Sequence, residues 1–218
     1  MYFESREQAG QLLAIQLAEK YRYENTAVVA LTTGGVLVGK AIAAQLHCPL
    51  TMLVTEKIDI PGESLSFGAV SQAGNFTYNS EFTAGEIEGY TSEFHGYLDD
   101  KKREAFHHIN ELVGDGGTID RDLLRERVVI LVADGFIDGA ILSVALDFLK
   151  PIHITKLVVA APVATIPAVD QLHMTVDEMH ILDVKENFMG VDHYFDNNDM
   201  LTQEEAIALI NESILTWQ

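Results

Sequence analysis

The chain has 218 residues, 48% of them hydrophobic, and a formal net charge of −19 at pH 7. This length and hydrophobic content predict one domain over 1–218 with a sizeable buried core. A surface with so large a negative charge would repel a phosphate backbone, which argues against nucleic-acid binding. Because the sequence shows no membrane-spanning apolar run, no secretory leader and only one cysteine, Cys48, it predicts a cytoplasmic protein without disulfides and without a membrane partner.

Helix and strand patterns alternate in the first quarter of the chain. Apolar residues recur every third or fourth position between Ser5 and Arg22, which predicts a helix, and Ser5 with Gln8 fits a capping box. The segments that follow predict a buried strand at Val28–Leu31, a turn at 32–35, a helix at Val36–Leu46 and a second strand at Leu50–Val54.

The middle of the chain is rich in glycine and has only short strand-like segments. Phe67–Ser71 and Asn75–Asn79 are separated and flanked by glycines between Ile60 and Thr91. This pattern predicts a hairpin or a flexible flap outside the core, which we place as an insertion over 57–97. A helix is predicted to follow at Leu98–Val113.

The second half of the chain returns to alternating strands and helices. The strongest strand pattern, Val128–Val132, is followed by a glycine-bearing loop. The later elements are predicted as a helix at 139–149, a strand at Leu157–Ala160, a short helix at Ile166–His173 and a core strand at Met179–Leu182. A closing helix is predicted from Thr202, which forms a capping box with Glu205. Short connections between alternating elements predict an α/β fold, with a mostly parallel central sheet flanked by helices. Ligands in such folds bind beyond the carboxyl ends of the strands, here after Leu31 and Val132.

The loop after Val132 carries the most informative motif. It reads Ala133-Asp134-Gly135-Phe136-Ile137-Asp138-Gly139-Ala140-Ile141. This segment resembles the phosphoribosyl-diphosphate loop of type I phosphoribosyltransferases. In that family an acidic pair holds the ribose hydroxyls, and a Thr-Gly-x-Thr sequence cradles the 5′-phosphate at a helix N-terminus, where N–H groups and the helix dipole favour an anion. The resemblance covers nearly the whole chain, including Ala30–Val36, which is similar to the diphosphate-binding loop, and Phe188–Phe195 near the C-terminus.

The resemblance implies a type I phosphoribosyltransferase-like fold and a homodimer. It also implies transfer of a 5-phosphoribosyl group from its diphosphate to a nitrogenous base, with Mg²⁺ as cofactor if the protein is active. Asp134 would then hold a ribose hydroxyl, and Lys57 would be the remaining cation. The implied ligand-binding residues are Thr32, Thr33, Gly34, Gly35, Ala133, Gly135, Phe136, Ile137, Asp138, Gly139, Ala140 and Ile141.

The sequence departs from the family pattern where the chemistry would occur. Ala133 replaces the first acidic residue, Asp138 and Ile141 replace hydroxyl residues, and Thr32-Thr33 replaces a Pro-Arg pair. Each change removes a positive charge or a donor, or adds a negative charge, so weak or lost activity is predicted. Since Asp is a favoured N-cap, we also predict that the Asp138 carboxylate acts as a built-in anion in the phosphate site.

Three functions fit these residues. The first is an active phosphoribosyltransferase. The second is a non-catalytic nucleoside- or nucleotide-binding protein, or a regulatory scaffold, on the same fold. The third is an enzyme whose donor lacks the 5′-phosphate. Binding of a phosphorylated donor separates the first from the other two.

Other candidate chemistry in the sequence has simpler interpretations. The adjacent His107 and His108 cannot share a helix face, which argues against a metal site. The acidic segment 192–199 lacks the glycine and distal Glu of a calcium loop and is interpreted as an acidic turn. Cys48 is interpreted as a small buried hydrophobic residue. The sequence therefore predicts no metal site.

Overall fold

The computed structural model describes residues 1–63, 66–113, 119, 121–137 and 139–215. The backbone forms two compact units. The first comprises Met1–Met52, Ile119–Ile137 and Ile152–Gln218, and the second comprises Leu53–Thr118 and Asp138–Pro151. The single domain over 1–218 with an insertion at 57–97 stays a prediction.

The strands are β1 (Thr26–Ala30), β2 (Leu50–Met52), β3 (Thr55–Asp59), β4 (Ser66–Ser71), β5 (Phe76–Tyr78), β6 (Val128–Val132), β7 (Lys156–Thr165) and β8 (Glu178–Lys185). The helices are α1 (Arg6–Tyr21), α2 (Thr33–Leu46), α3 (Ala84–Glu93), α4 (His95–Val113), α5 (Ala140–Leu149), α6 (Ile166–Thr175) and α7 (Gln203–Leu215). Short 3-10 turns lie at Arg121–Leu123 and Val191–Tyr194.

The first unit is built on a five-stranded sheet in the order β2-β1-β6-β7-β8. All four strand pairings are parallel, which confirms the predicted parallel central sheet. From β1 the chain proceeds to β2 on one side, and from β6 it proceeds to β7 on the other. The boundary between β1 and β6 is therefore a topological switch point, where the two predicted ligand loops leave the same edge of the sheet.

Burial along the sheet falls towards its edge. Every residue of β1 and β6 is buried, as expected for apolar strands with two neighbours. The prediction of a last core strand at Met179–Leu182 is wrong in one respect, because β8 is an edge strand and its residues are mostly half-buried.

The N-terminal and C-terminal segments of the first unit meet. The amide of Phe3 donates to the carbonyl of Tyr194 at 2.9 Å, and the amide of Asp196 donates to the carbonyl of Phe3 at 2.9 Å. The rings of Phe3 and Phe195 lie 5.7 Å apart in an apolar cluster that also includes Val163. These contacts place residues 192–198 next to the start of α1.

The second unit contains the antiparallel sheet β3-β4-β5. The predicted hairpin is confirmed in β4 and β5, but its predicted place outside the core is wrong. Every residue of β4 is buried, and the fully buried ring of Phe67 contacts four other aromatic rings. The sequence prediction also missed β3, and it missed α3, whose two glycines interrupt the helical pattern.

Candidate functional site

The first predicted ligand loop is a helix N-terminus rather than a turn. The hydroxyl oxygen of Thr32 accepts a hydrogen bond from the amide of Gly35 at 2.8 Å, so Thr32 is the N-cap and α2 begins at Thr33. The predicted turn at 32–35 is therefore wrong. The amides of Thr33 and Gly34 fall in the first turn, where helices leave N–H groups without an intrahelical acceptor.

The carboxylate of Asp134 lies directly after β6 and is engaged by protein groups. Asp134 is 5% exposed. One carboxylate oxygen, Oδ2, accepts from Nε of Arg6 at 2.8 Å, and the other, Oδ1, accepts from the Thr32 hydroxyl at 2.7 Å. Asp134, the one residue retained from the acidic pair of the motif, thus forms a buried ion pair and a side-chain hydrogen bond.

Packing explains why glycine occupies both positions in the first turn of α2. A Cβ atom at Gly34 would lie 2.1 Å from Oδ2 of Asp134, and one at Gly35 would lie 2.7 Å from the carbonyl oxygen of Val132. Neither distance is sterically possible, so these glycines allow α2 to approach the end of β6. The Asp134 carboxylate consequently lies against the first turn of α2, where the helix dipole favours a negative charge.

Arg6 contacts the candidate site but was not among the site residues predicted from the sequence. It is 1% exposed, and its guanidinium also donates to Asp192 Oδ1 at 2.5 Å and to Asn198 Oδ1 at 3.3 Å. Its Cζ atom lies 4.5 Å from the centre of the Phe195 ring. The signal was available: Arg6 precedes Ala9, Gly10, Leu13 and Leu17 on the buried face of α1, and a charged residue on such a face requires a buried partner.

The rest of the loop in the first unit is held against β7. Ala133 is buried, and Phe136 forms a parallel bridge with Ala164. The carbonyl oxygen of Ile137 accepts from the Thr165 hydroxyl at 2.9 Å, while the Ile137 side chain is 47% exposed. Gly135 packs so closely on Val191 that a Cβ atom would lie 2.8 Å from it.

The remaining predicted ligand residues belong to the second unit. Gly139 caps α5, its amide donates to Oε1 of Glu81 at 2.9 Å, and Ala140 and Ile141 form the first turn of α5. The prediction for Asp138 lies outside the described residues.

Lys57 lies on β3, in the second unit, and is exposed. It borders a cavity of about 320 Å³ between β3 and α4. The other residues that line this cavity are Glu56, Ile58, Asp59, Tyr97, Lys101, Glu104, Ala105 and His108.

The other sequence candidates have structural roles. Cys48 is 5% exposed, and burial raises the pKa of its thiol, as its interpretation as a small buried residue predicts. His107 and His108 contact different carboxylates, those of Glu111 and Glu56. Within the described part of the chain, no group of three His, Cys, Asp or Glu residues is arranged to hold a metal ion, and none of its helices has the length and apolarity to cross a membrane.

A second charged cluster lies near the end of α1, at the start of β7 and β8. The carboxylate of Glu178 accepts from Nζ of Lys156 at 2.6 Å and also pairs with Lys20. Partial burial raises the pKa of Glu178, but the hydrogen bonds from Lys156 and Lys20 outweigh it and hold the pKa well below its ordinary value. The same bond to Glu178 raises the pKa of Lys156.

Comparison with known families gives one match over most of the chain. The family described as "Phosphoribosyl transferase domain" matches residues 3–196. A curated Mycobacterium tuberculosis protein named "Putative phosphoribosyl transferase" is 26% identical over 215 residues, which is 97% of this chain and 47% of that protein. The chain therefore spans about half the length of the curated relatives that it matches.

Two of the solved structures that match illustrate the shared fold. The crystal structure of TT1426 from Thermus thermophilus matches with a TM-score of 0.71 and 27% identity, over 97% of this chain and 99% of that one. The AQ2163 protein from Aquifex aeolicus matches with a TM-score of 0.50 and 11% identity, over 83% of this chain and 74% of that one, which indicates a likeness of fold alone.

Proposed function

The chain belongs to the phosphoribosyl transferase domain family, and from that premise we propose that it binds a pentose-containing small molecule of the nucleoside class. The site comprises the residues at the carboxyl ends of β1 and β6, namely Thr32 to Gly35 and Ala133 to Ile137. Transfer of a 5-phosphoribosyl group from its diphosphate is weak or absent in this proposal.

The engaged carboxylate of Asp134 is the observation that argues against phosphoribosyl transfer, and the charge around it carries the preference for an uncharged ligand. The resemblance implies that this carboxylate holds the ribose hydroxyls of the donor, whereas in the structure each oxygen of Asp134 already accepts one hydrogen bond, from Arg6 or from Thr32. The carboxylate is also 5% exposed, so a ligand would have to break a buried ion pair to reach it.

The charge around this carboxylate disfavours a diphosphate. One guanidinium, that of Arg6, is shared by the carboxylates of Asp134 and Asp192, which leaves a formal charge of −1 on the three groups. A carboxylate about 4 Å from a bound phosphate costs about 4 kcal/mol at the effective dielectric of such a site, or nearly three decades in affinity. An uncharged nucleoside avoids this repulsion.

Magnesium does not fit as a directly bound cofactor at the end of β6. Within the described residues 133–137, the carboxylate is that of Asp134, and its oxygens accept hydrogen bonds from Arg6 and Thr32. We therefore assign no step to Mg²⁺, and we keep it in the assay because a diphosphate donor would bring its own cation.

Calorimetric titration tests the proposal. The protein is titrated with phosphoribosyl diphosphate and Mg²⁺, and separately with adenosine, guanosine, inosine, uridine and cytidine, while nucleotide formation from the donor and the free bases is followed by chromatography. We expect binding of at least one nucleoside and no nucleotide product. Rapid, Mg²⁺-dependent nucleotide formation would refute the proposal and identify an active transferase.

A pair of variants locates the site. Thr33→Arg adds a cation to the first turn of α2 and should raise affinity for phosphoribosyl diphosphate, because that turn is where a diphosphate would lie. Gln45→Arg adds the same charge near the other end of α2, at an exposed position, and serves as the matched control. Equal donor affinity in both variants would argue against this location.

A further inference from the structure

A carboxylate next to the candidate site, that of Asp192, is exposed to solvent. Its side chain is 69% exposed, whereas the side chain of Asp134 is 7% exposed. Its Oδ1 atom accepts from Nη2 of Arg6 at 2.5 Å, and within the described part of the chain no protein group donates to its Oδ2 atom. A ligand can therefore reach the Asp192 carboxylate without breaking a buried ion pair.

Two contacts link Asp192 to the two loops of the site. The Arg6 guanidinium lies against the first turn of α2, where a Cβ atom at Gly34 would be 2.8 Å from Nε of Arg6. The residue before Asp192 packs on the loop after β6, since a Cβ atom at Gly135 would lie 2.8 Å from the Val191 side chain. All of these residues belong to the first unit.

The position of the Asp192 carboxylate is fixed by its surroundings. Its partner Arg6 is buried, with its Cζ atom 4.5 Å from the centre of the Phe195 ring. The backbone carbonyl of Asp192 accepts from Nδ2 of Asn198 at 3.0 Å and from the amide of Phe195 at 3.3 Å. Because the carboxylate is already oriented, a ligand that binds to it loses less free energy to side-chain ordering.

An oriented carboxylate with an exposed oxygen suits the hydroxyls of a pentose. An ionised carboxylate only accepts hydrogen bonds, and bonds from hydroxyl groups to charged oxygens are among the stronger ones. Acidic side chains bind ribose hydroxyls in this way in the dinucleotide-binding α/β folds. The family resemblance assigns these hydroxyls to Asp134, but that side chain is buried against Arg6 and Thr32.

We propose that Asp192 is the residue that binds the 2′- and 3′-hydroxyls of the pentose, and that Arg6 is the positioning residue that orients its carboxylate. The site then selects ribose ligands over their 2′-deoxy counterparts. This inference rests on the proposed nucleoside-binding function and names the residue that recognises the sugar.

Matched sugars and matched variants test the proposal. Asp192→Asn removes the carboxylate but keeps an oxygen that can accept from Arg6, and Asp196→Asn removes the same charge from an exposed position in the same segment. The wild type and both variants are titrated calorimetrically with adenosine, guanosine, inosine, uridine and cytidine and with their 2′-deoxy counterparts.

We expect the wild type and Asp196→Asn to bind ribonucleosides about tenfold more tightly than 2′-deoxyribonucleosides, because the deoxy sugar loses a hydrogen bond to a charged acceptor. Asp192→Asn should lose this preference. The same preference in all three proteins would overturn the proposal. Equal affinity of the wild type for the two sugars would also overturn it, and that result does not depend on whether Asp192→Asn folds.

A pentose without a base separates this proposal from the nucleoside-binding function. Methyl β-D-ribofuranoside and its 2-deoxy analogue are titrated into the same three proteins. If the riboside binds while no nucleoside does, and Asp192→Asn loses the riboside, the nucleoside class is wrong and the role of Asp192 stands. If nucleosides bind with the same sugar preference in all three proteins, the role of Asp192 alone is wrong. If neither kind of ligand binds, both proposals are wrong.

Discussion

Replacing Arg6 with methionine should destabilise the protein by about 4 kcal/mol. The guanidinium is 1% exposed and makes its contacts to Asp134, Asp192 and Asn198 at 2.8, 2.5 and 3.3 Å. Two unit charges about 4 Å apart attract with about 4 kcal/mol at an effective dielectric of 20. Measured losses on breaking a buried ion pair are about 3–5 kcal/mol, because the partner charge is left uncompensated.

The assay is urea unfolding followed by circular dichroism. A loss of about 4 kcal/mol should lower the unfolding midpoint by about 1–2 M urea. Arg6→Lys keeps the charge but loses the planar fork, so it should give an intermediate loss. The double variant Arg6→Met with Asp134→Asn no longer buries an unpaired carboxylate, and it should be more stable than Arg6→Met alone.

Two results would refute this reasoning. A loss below about 1 kcal/mol for Arg6→Met would mean that the pair behaves like an exposed surface ion pair. If the double variant is no more stable than Arg6→Met, the loss of stability comes mainly from lost packing on Phe195 rather than from the unpaired charge of Asp134.

Two further substitutions probe the Thr32 hydroxyl and the Glu178 carboxylate. Thr32→Val loses both the N-cap of α2 and the donor to Asp134, so it should lower the free energy of unfolding by about 1–2 kcal/mol. Thr32→Ser keeps both hydrogen bonds and serves as the control in thermal unfolding. Equal melting temperatures for the two variants would contradict this prediction. Glu178→Gln should lower the unfolding free energy at pH 7 by about 1 kcal/mol. Because the pKa of Glu178 is lowered on folding, its contribution is fully present above the ordinary glutamate pKa, about 4.3, and disappears as the pH falls through the lower folded value. The gap between wild type and variant should therefore narrow below about pH 4, and a gap independent of pH would contradict the assignment.

Local patterns in the sequence were sufficient for most of the central sheet. The runs of apolar residues in β1 and β6 marked strands covered on both faces, and parallel pairing followed from their alternation with helices. These patterns also placed the two candidate loops after β1 and β6, because the position of a loop after a strand is a local property. The burial of β4 was predicted wrongly, since its glycine-rich surroundings resemble an exposed hairpin and only packing of aromatic rings around Phe67 reveals a core.

The sequence by itself determined the fold class, the family resemblance and the chain positions of the candidate site, because periodicity and short motifs act over a few residues. Only the tertiary structure decided which charges meet. Arg6 and Asp134 are 128 residues apart, and Glu81 and Gly139 are 58 apart. No local pattern specifies such partners, since they are selected by the topology of the sheet and by the cost of burying an unpaired charge. That cost explains why the buried carboxylate retained by the motif, that of Asp134, faces an arginine.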